Sequence, residues 1–138
     1  NRIGNTTIYG NSKIIAKSSG VFTNTGTITI TATQDSNSLS NSIGPEIIAQ
    51  NTGIYVDGGI LNIGIDEATS SVNTSIPSIT GTSYGVNIAS GTCNFYDGII
   101  KGKTSAINGA TPNTPNGYTI SPETTDAEGY KTVTLVSE

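Results

Sequence analysis

Asp66, Glu67 and Asp97 are the acids that the chain's spacing brings nearest one another, each at the end of an expected strand. Clustered carboxylates serve glycoside hydrolysis, and carboxylates that gather calcium beside an Arg or Lys base serve polysaccharide cleavage by elimination. The rest of such a site is thinly supplied. The only arginine is Arg2, and Asp57 has Asn24 and Ala89 as its positional counterparts, so no acidic column forms at that corner. Asp66 beside Asp97 could hold a cation weakly, or both could be solvated turn acids. Lys101 and Lys103 alternate on one face and suit either an acidic sugar or the protection of a sheet edge by charge. Tyr55, Tyr84 and Tyr96 would stack on sugar rings where exposed and fill the interior where buried.

Histidine is absent, which removes Ser-His and Cys-His nucleophile systems and most zinc sites. No glycine pattern has the form of a phosphate cradle ahead of a helix. The residues therefore assign no catalytic, cofactor-binding or metal-binding role, and no cofactor is expected. Tyr55, Tyr84, Tyr96, Asp66, Asp97, Lys101 and Lys103 remain as candidates for ligand contact only.

Composition narrows the class further. The 138 residues suit one domain, 1–138, and Gly, Thr, Ser, Asn and Ile favour strands and turns over helices. Ten acids against six bases give a net charge of -4 with no basic run, so nucleic acid is an unfavourable partner. No apolar stretch reaches the roughly 20 residues of a membrane-spanning helix, so no membrane insertion is expected. Cys93 has no partner for an internal disulfide and sits in an alternating segment as a small buried group. The start at Asn1, without Met or a signal-like segment, reads as a piece of a larger chain.

The elements that position these residues follow from a repeat. Gly20 to Gly26, Gly53 to Gly59 and Gly85 to Gly91 each read Gly, a β-branched residue, four variable positions, Gly. Gly26, Gly59 and Gly91 recur at intervals of 33 and 32 residues, a period of the size expected for stacked strand units. An Ile strand starts each unit at Ile14, Ile47, Ile79 and Ile100, and a β-branched residue follows seven positions later at Val21, Ile54, Val86 and Ile107. Alternation in the strand expected after the second glycine of each unit, Thr27 to Ile30, Ile60 to Ile63 and Thr92 to Phe95, turns Ile28, Leu61 and Cys93 inward as one column and Ile30, Ile63 and Phe95 as another. Thr29, Asn62 and Asn94 form an outer column able to hydrogen-bond from unit to unit. A lone Thr27, Thr29, Thr31 row is all that would serve an ice-binding face.

These patterns predict an all-β chain, specifically a parallel β-helix (β-solenoid) of about three to four coils over 1–110 with a C-terminal hairpin-like cap over 111–138. Gly117 to Ser121 and Tyr130 to Val136 would form that hairpin. Polar insertions, Gln34 to Pro45 and Glu67 to Pro77, would lie side by side along one edge, as binding loops or as surface padding.

The run Gly85-Val86-Asn87-Ile88 through Ser90-Gly91-Thr92-Cys93-Asn94-Phe95-Tyr96-Asp97-Gly98-Ile99-Ile100-Lys101-Gly102 resembles segments of repetitive, adhesin-like cell-surface proteins of bacteria. Gly129-Tyr130-Lys131-Thr132-Val133-Thr134-Leu135-Val136 is similar to the ends of such regions. The resemblance implies a right-handed parallel β-helix of pectate-lyase-like architecture and an extracellular location at the bacterial cell surface. It implies a structural or adhesin-like role without enzymatic activity, with a glycan or host surface protein as partner. A carbohydrate-active enzyme or its remnant and a self-assembling filament or surface-layer subunit, joined end to end, are the alternatives.

Overall fold

The computed structural model describes residues 4–31, 44–65 and 76–138, and among these every regular element is a strand. The Ile-rich segments form β2 (Lys13–Ala16), β5 (Glu46–Ala49), β7 (Ser78–Gly81) and β9 (Ile99–Gly102). The segments around the repeated glycines form β3 (Ser19–Thr23), β4 (Thr27–Thr31), β6 (Thr52–Ile63) and β8 (Tyr84–Phe95), preceded by β1 (Asn5–Tyr9) and followed by β10 (Ser105–Gly109). The C-terminal segment adds β11 (Tyr118–Ile120), β12 (Thr124–Thr125), β13 (Lys131–Val133) and β14 (Leu135–Ser137).

The expectation of a single parallel β-helix closed by a hairpin is corrected by the sheet topology. The strands divide into three sheets of different kinds: a six-stranded parallel sheet, a six-stranded mixed sheet and a two-stranded antiparallel sheet. The parallel sheet runs β1-β4-β6-β8-β10 with β3 also on β6, and the mixed sheet runs β12-β13-β9-β7-β5-β2. The strands up to Gly109 already divide between the two large sheets, and the C-terminal segment adds the antiparallel pairings. Its last alternating stretch does not fold back as one hairpin arm but is split at Thr134 between two sheets. β13 adds antiparallel to β9, placing Val133 opposite Ile100, while β14 pairs antiparallel with β11. Val133 and Leu135 both bury their side chains in the core shared with the two large sheets.

What the period specifies is register. Ile28 pairs with Leu61 and Leu61 with Cys93; Ile30 pairs with Ile63 and Ile63 with Phe95. Ile14, Ile47, Ile79 and Ile100 align across the second sheet in the same way. Strand alternation sends these columns to one side, and they join Val21, Ile54, Val86 and Ala106 in a single apolar core drawn from both large sheets. One irregularity breaks the count. Register shifts flank Asp57, so it faces Ser90 rather than Ala89.

Candidate functional site

The outer faces of the parallel sheet carry two ladders. Thr29, Asn62 and Asn94 are register partners, and Asn113 continues the row through a single parallel bridge to Asn94. Each amide donates to the preceding side chain: Asn62 Nδ2 to Thr29 Oγ1 at 3.3 Å, Asn94 Nδ2 to Asn62 Oδ1 at 2.8 Å and Asn113 Nδ2 to Asn94 Oδ1 at 2.9 Å. Asn suits this position because one amide offers both a donor and an acceptor along the stacking direction.

The second ladder contains Phe22, Tyr55, Asn87 and Asn108, again as successive register partners. The Phe22 and Tyr55 rings are stacked with centroids 5.6 Å apart and planes inclined by 6°. Beyond them Asn108 Nδ2 donates to Asn87 Oδ1 at 3.1 Å. Phe22 is exposed and Tyr55 half-buried. Phe22, Asn87 and Asn108 were not singled out from the sequence. Their signal was present all the same, because each follows the recurring β-branched residue of its strand, in the order Val21, Val86 and Ile107.

The three tyrosines do not converge. Tyr55 lies within β6, while Tyr84 opens β8 and Tyr96 follows its far end. Both Tyr84 and Tyr96 are half-buried. Asp97 is half-buried too, its backbone N–H donating to the Ile63 carbonyl at 3.0 Å. Asp66 lies outside the described residues, as do 34–43 and 67–75 of the two insertions.

Both lysines are engaged by the C-terminal segment. Lys101 Nζ lies 3.9 Å from Asp126 Oδ2, and Lys103 Nζ sits 5.1 Å from the centre of the Tyr130 ring. Asp126 is itself fixed by accepting from the backbone N–H groups of Glu128 and Tyr130, both at 2.9 Å. The pair of cations thus fastens β12 and β13 to the sheet.

Two titratable groups are displaced from their ordinary behaviour. Burial pushes the Cys93 thiol up to about 12. Glu123 is lowered, chiefly by the hydrogen bond from Ser105 Oγ at 2.7 Å, with support from the Ala106 N–H at 3.0 Å and the nearby Lys131 charge. Glu123 also borders an open cleft of about 280 Å³ between β10 and the C-terminal strands, lined by Ile107, Pro112, Ile120 and Val133. Among the described residues no group of three or more His, Cys, Asp or Glu is placed to hold a metal ion. Comparison of the chain with protein-family models, curated proteins and solved structures finds no match.

Proposed function

We propose that the chain is a non-enzymatic, extracellular structural module of a bacterial surface protein, adhesin-like in that it presents a fixed face to glycans or to a host surface protein. The observation that supports this reading is the pair of uncharged outer ladders, Thr29-Asn62-Asn94-Asn113 and Phe22-Tyr55-Asn87-Asn108. Aromatic rings and amides held at the regular spacing of paired strands, about 4.8 Å, suit extended neutral ligands, whose hydroxyls and apolar faces alternate at comparable distances. The hydrogen bonds made by the amides and the stack of Phe22 on Tyr55 hold the side chains in place before any ligand arrives, so less ordering entropy opposes binding.

A glycan array together with a binding screen against host surface proteins tests the reading. Saturable binding to members of either set is the expected result. Silence in both would reduce the role to that of a spacer. Turnover of an acidic polysaccharide that is lost in Asp97→Asn would replace the reading with that of a carbohydrate-active enzyme.

A further inference from the structure

We propose that the step between Tyr55 and Asn87, on the outer face where β6 meets β8, is a subsite for one neutral pyranose residue of a glycan chain. This rests on the glycan-binding form of the proposed function and locates it.

The stack with Phe22 covers one face of the Tyr55 ring. Its other face looks toward the next position in the ladder, which Asn87 occupies. Asn is the shorter side chain, so the ladder drops from ring height to amide height at this point and stays low through Asn108. The strand spacing of about 4.8 Å sets the width of the step, and this falls within the range over which a flat apolar group stacks on an aromatic ring. A pyranose has such a group in the C–H face of its ring.

The floor of the step is chemically matched. Asn108 donates through Nδ2 to Asn87 Oδ1, which fixes the orientation of both amides. Asn87 Nδ2 is left as an outward donor and Asn108 Oδ1 as an outward acceptor. Vicinal sugar hydroxyls present the complementary acceptor and donor. None of the four ladder residues carries a charge, so the subsite favours a neutral sugar over an acidic one, whose desolvated carboxylate would find no cation there. Lys101 and Lys103, the cations first suited to an acidic sugar, are held by Asp126 and Tyr130.

The test is an array of neutral and acidic oligosaccharides probed with the full chain, followed by titration of the strongest neutral binder against the unsubstituted chain, Tyr55→Phe, Tyr55→Ala and Asn87→Ala. Tyr55→Phe keeps the platform and should bind like the parent; Tyr55→Ala and Asn87→Ala should each weaken binding by about tenfold or more. Ring-proton shifts of Tyr55 on titrating the unsubstituted chain give a readout that does not depend on the variants folding. Neutral-sugar binding with Tyr55 unshifted, or undiminished in both alanine variants, would overturn the subsite while leaving glycan binding intact. Preference for acidic sugars would overturn its neutrality. Absence of binding to every glycan, or binding of a host protein alone through this face, would overturn the glycan reading itself.

Discussion

Cys93 and Glu123 are opposite cases of how a side chain's surroundings set its behaviour. Cys93 stands in the inward column beneath Leu61, 3% exposed, and the apolar setting that raises its pKa also denies it to reagents. A thiol reagent at neutral pH should therefore modify it only as fast as the chain opens, with full reaction in denaturant; prompt labelling of the native chain would contradict the burial of this column. Its apolar role was legible in the sequence because it shares a column with Ile28 and Leu61. Glu123 is exposed and was not legible, since its value depends on the path by which residues 111–138 return to β10. A carboxylate whose folded pKa lies below its unfolded one adds stability that is present above the unfolded value and disappears as pH falls through the folded one. For Glu123 the loss should begin below about its ordinary 4.5 and proceed downward. Solvent screening of so exposed a group keeps the contribution within about 1 kcal/mol. Thermal melts from pH 6 to pH 3 should show Glu123→Gln starting lower than the parent at pH 6 and converging with it in acid. A constant gap at all pH values would mean that the carboxylate's charge plays no part.

At the scale of elements, the glycine column Gly26, Gly59 and Gly91 governs the irregular stretch that separates β3 from β4 and breaks the register between β6 and β8. All three have positive φ, 75°, 73° and 88°, the left-handed region that a side chain disfavours. They also stack: a Cβ on Gly59 would lie 2.6 Å from the Gly26 carbonyl oxygen, and one on Gly91 would lie 2.7 Å from that of Gly59. Gly59→Ala combines backbone strain with a clash against main chain that cannot rotate away, and should cost about 2–4 kcal/mol in denaturant unfolding. A loss below about 0.5 kcal/mol would show that this stretch can relax and that the column is a loose constraint. The same glycines made the register readable from sequence, because a fixed interval plus alternation determines both the partner and the facing of each residue, as in Thr29, Asn62 and Asn94. Nothing comparable exists after Gly109. Tyr118–Ile120 and Lys131–Ser137 alternate, which specifies strands, but without a period their partners are open. The split of the last stretch between β9 and β11 depends on burying Val133 and Leu135 in the shared core, a tertiary outcome that short local patterns do not encode. The aromatic step was half legible for the same reason: Tyr55 stands out as a residue type, whereas Asn87 and Asn108 gain meaning only as its neighbours in the ladder.

For the whole molecule, the two ends of the stacked strands are finished differently, and this bears on whether copies join end to end. At the C-terminal end β13 occupies the edge of β9, and the Glu123 carboxylate takes the Ala106 N–H on β10. Asn113 covers the next stretch by donating its N–H to the Cys93 carbonyl at 2.9 Å and accepting from the Phe95 N–H at 2.8 Å. At the other end β1, β2 and β3 each pair with a single strand among the described residues. There Ile8 and Ile14 are only partly buried, although their column partners Ile30 and Ile47 are fully enclosed. Open strand edges with apolar ends invite pairing, and exposed lysines such as Lys13 and Lys17 oppose it. Shortening the chain to residues 1–110 would uncover β9 and β10 together with Ile100 and Ile107, supplying parallel edges and an apolar end to match β1, β2 and β3 of another copy. Sedimentation velocity should then show association that grows with concentration in the shortened chain and none, or much less, in the full one. Val133→Lys, which sets a charge opposite Ile100, should loosen β13 and shift the full chain in the same direction. A shortened chain that keeps its β circular dichroism and stays monomeric at every concentration would show that the edge lysines alone prevent stacking, and that the C-terminal strands serve stability rather than closure.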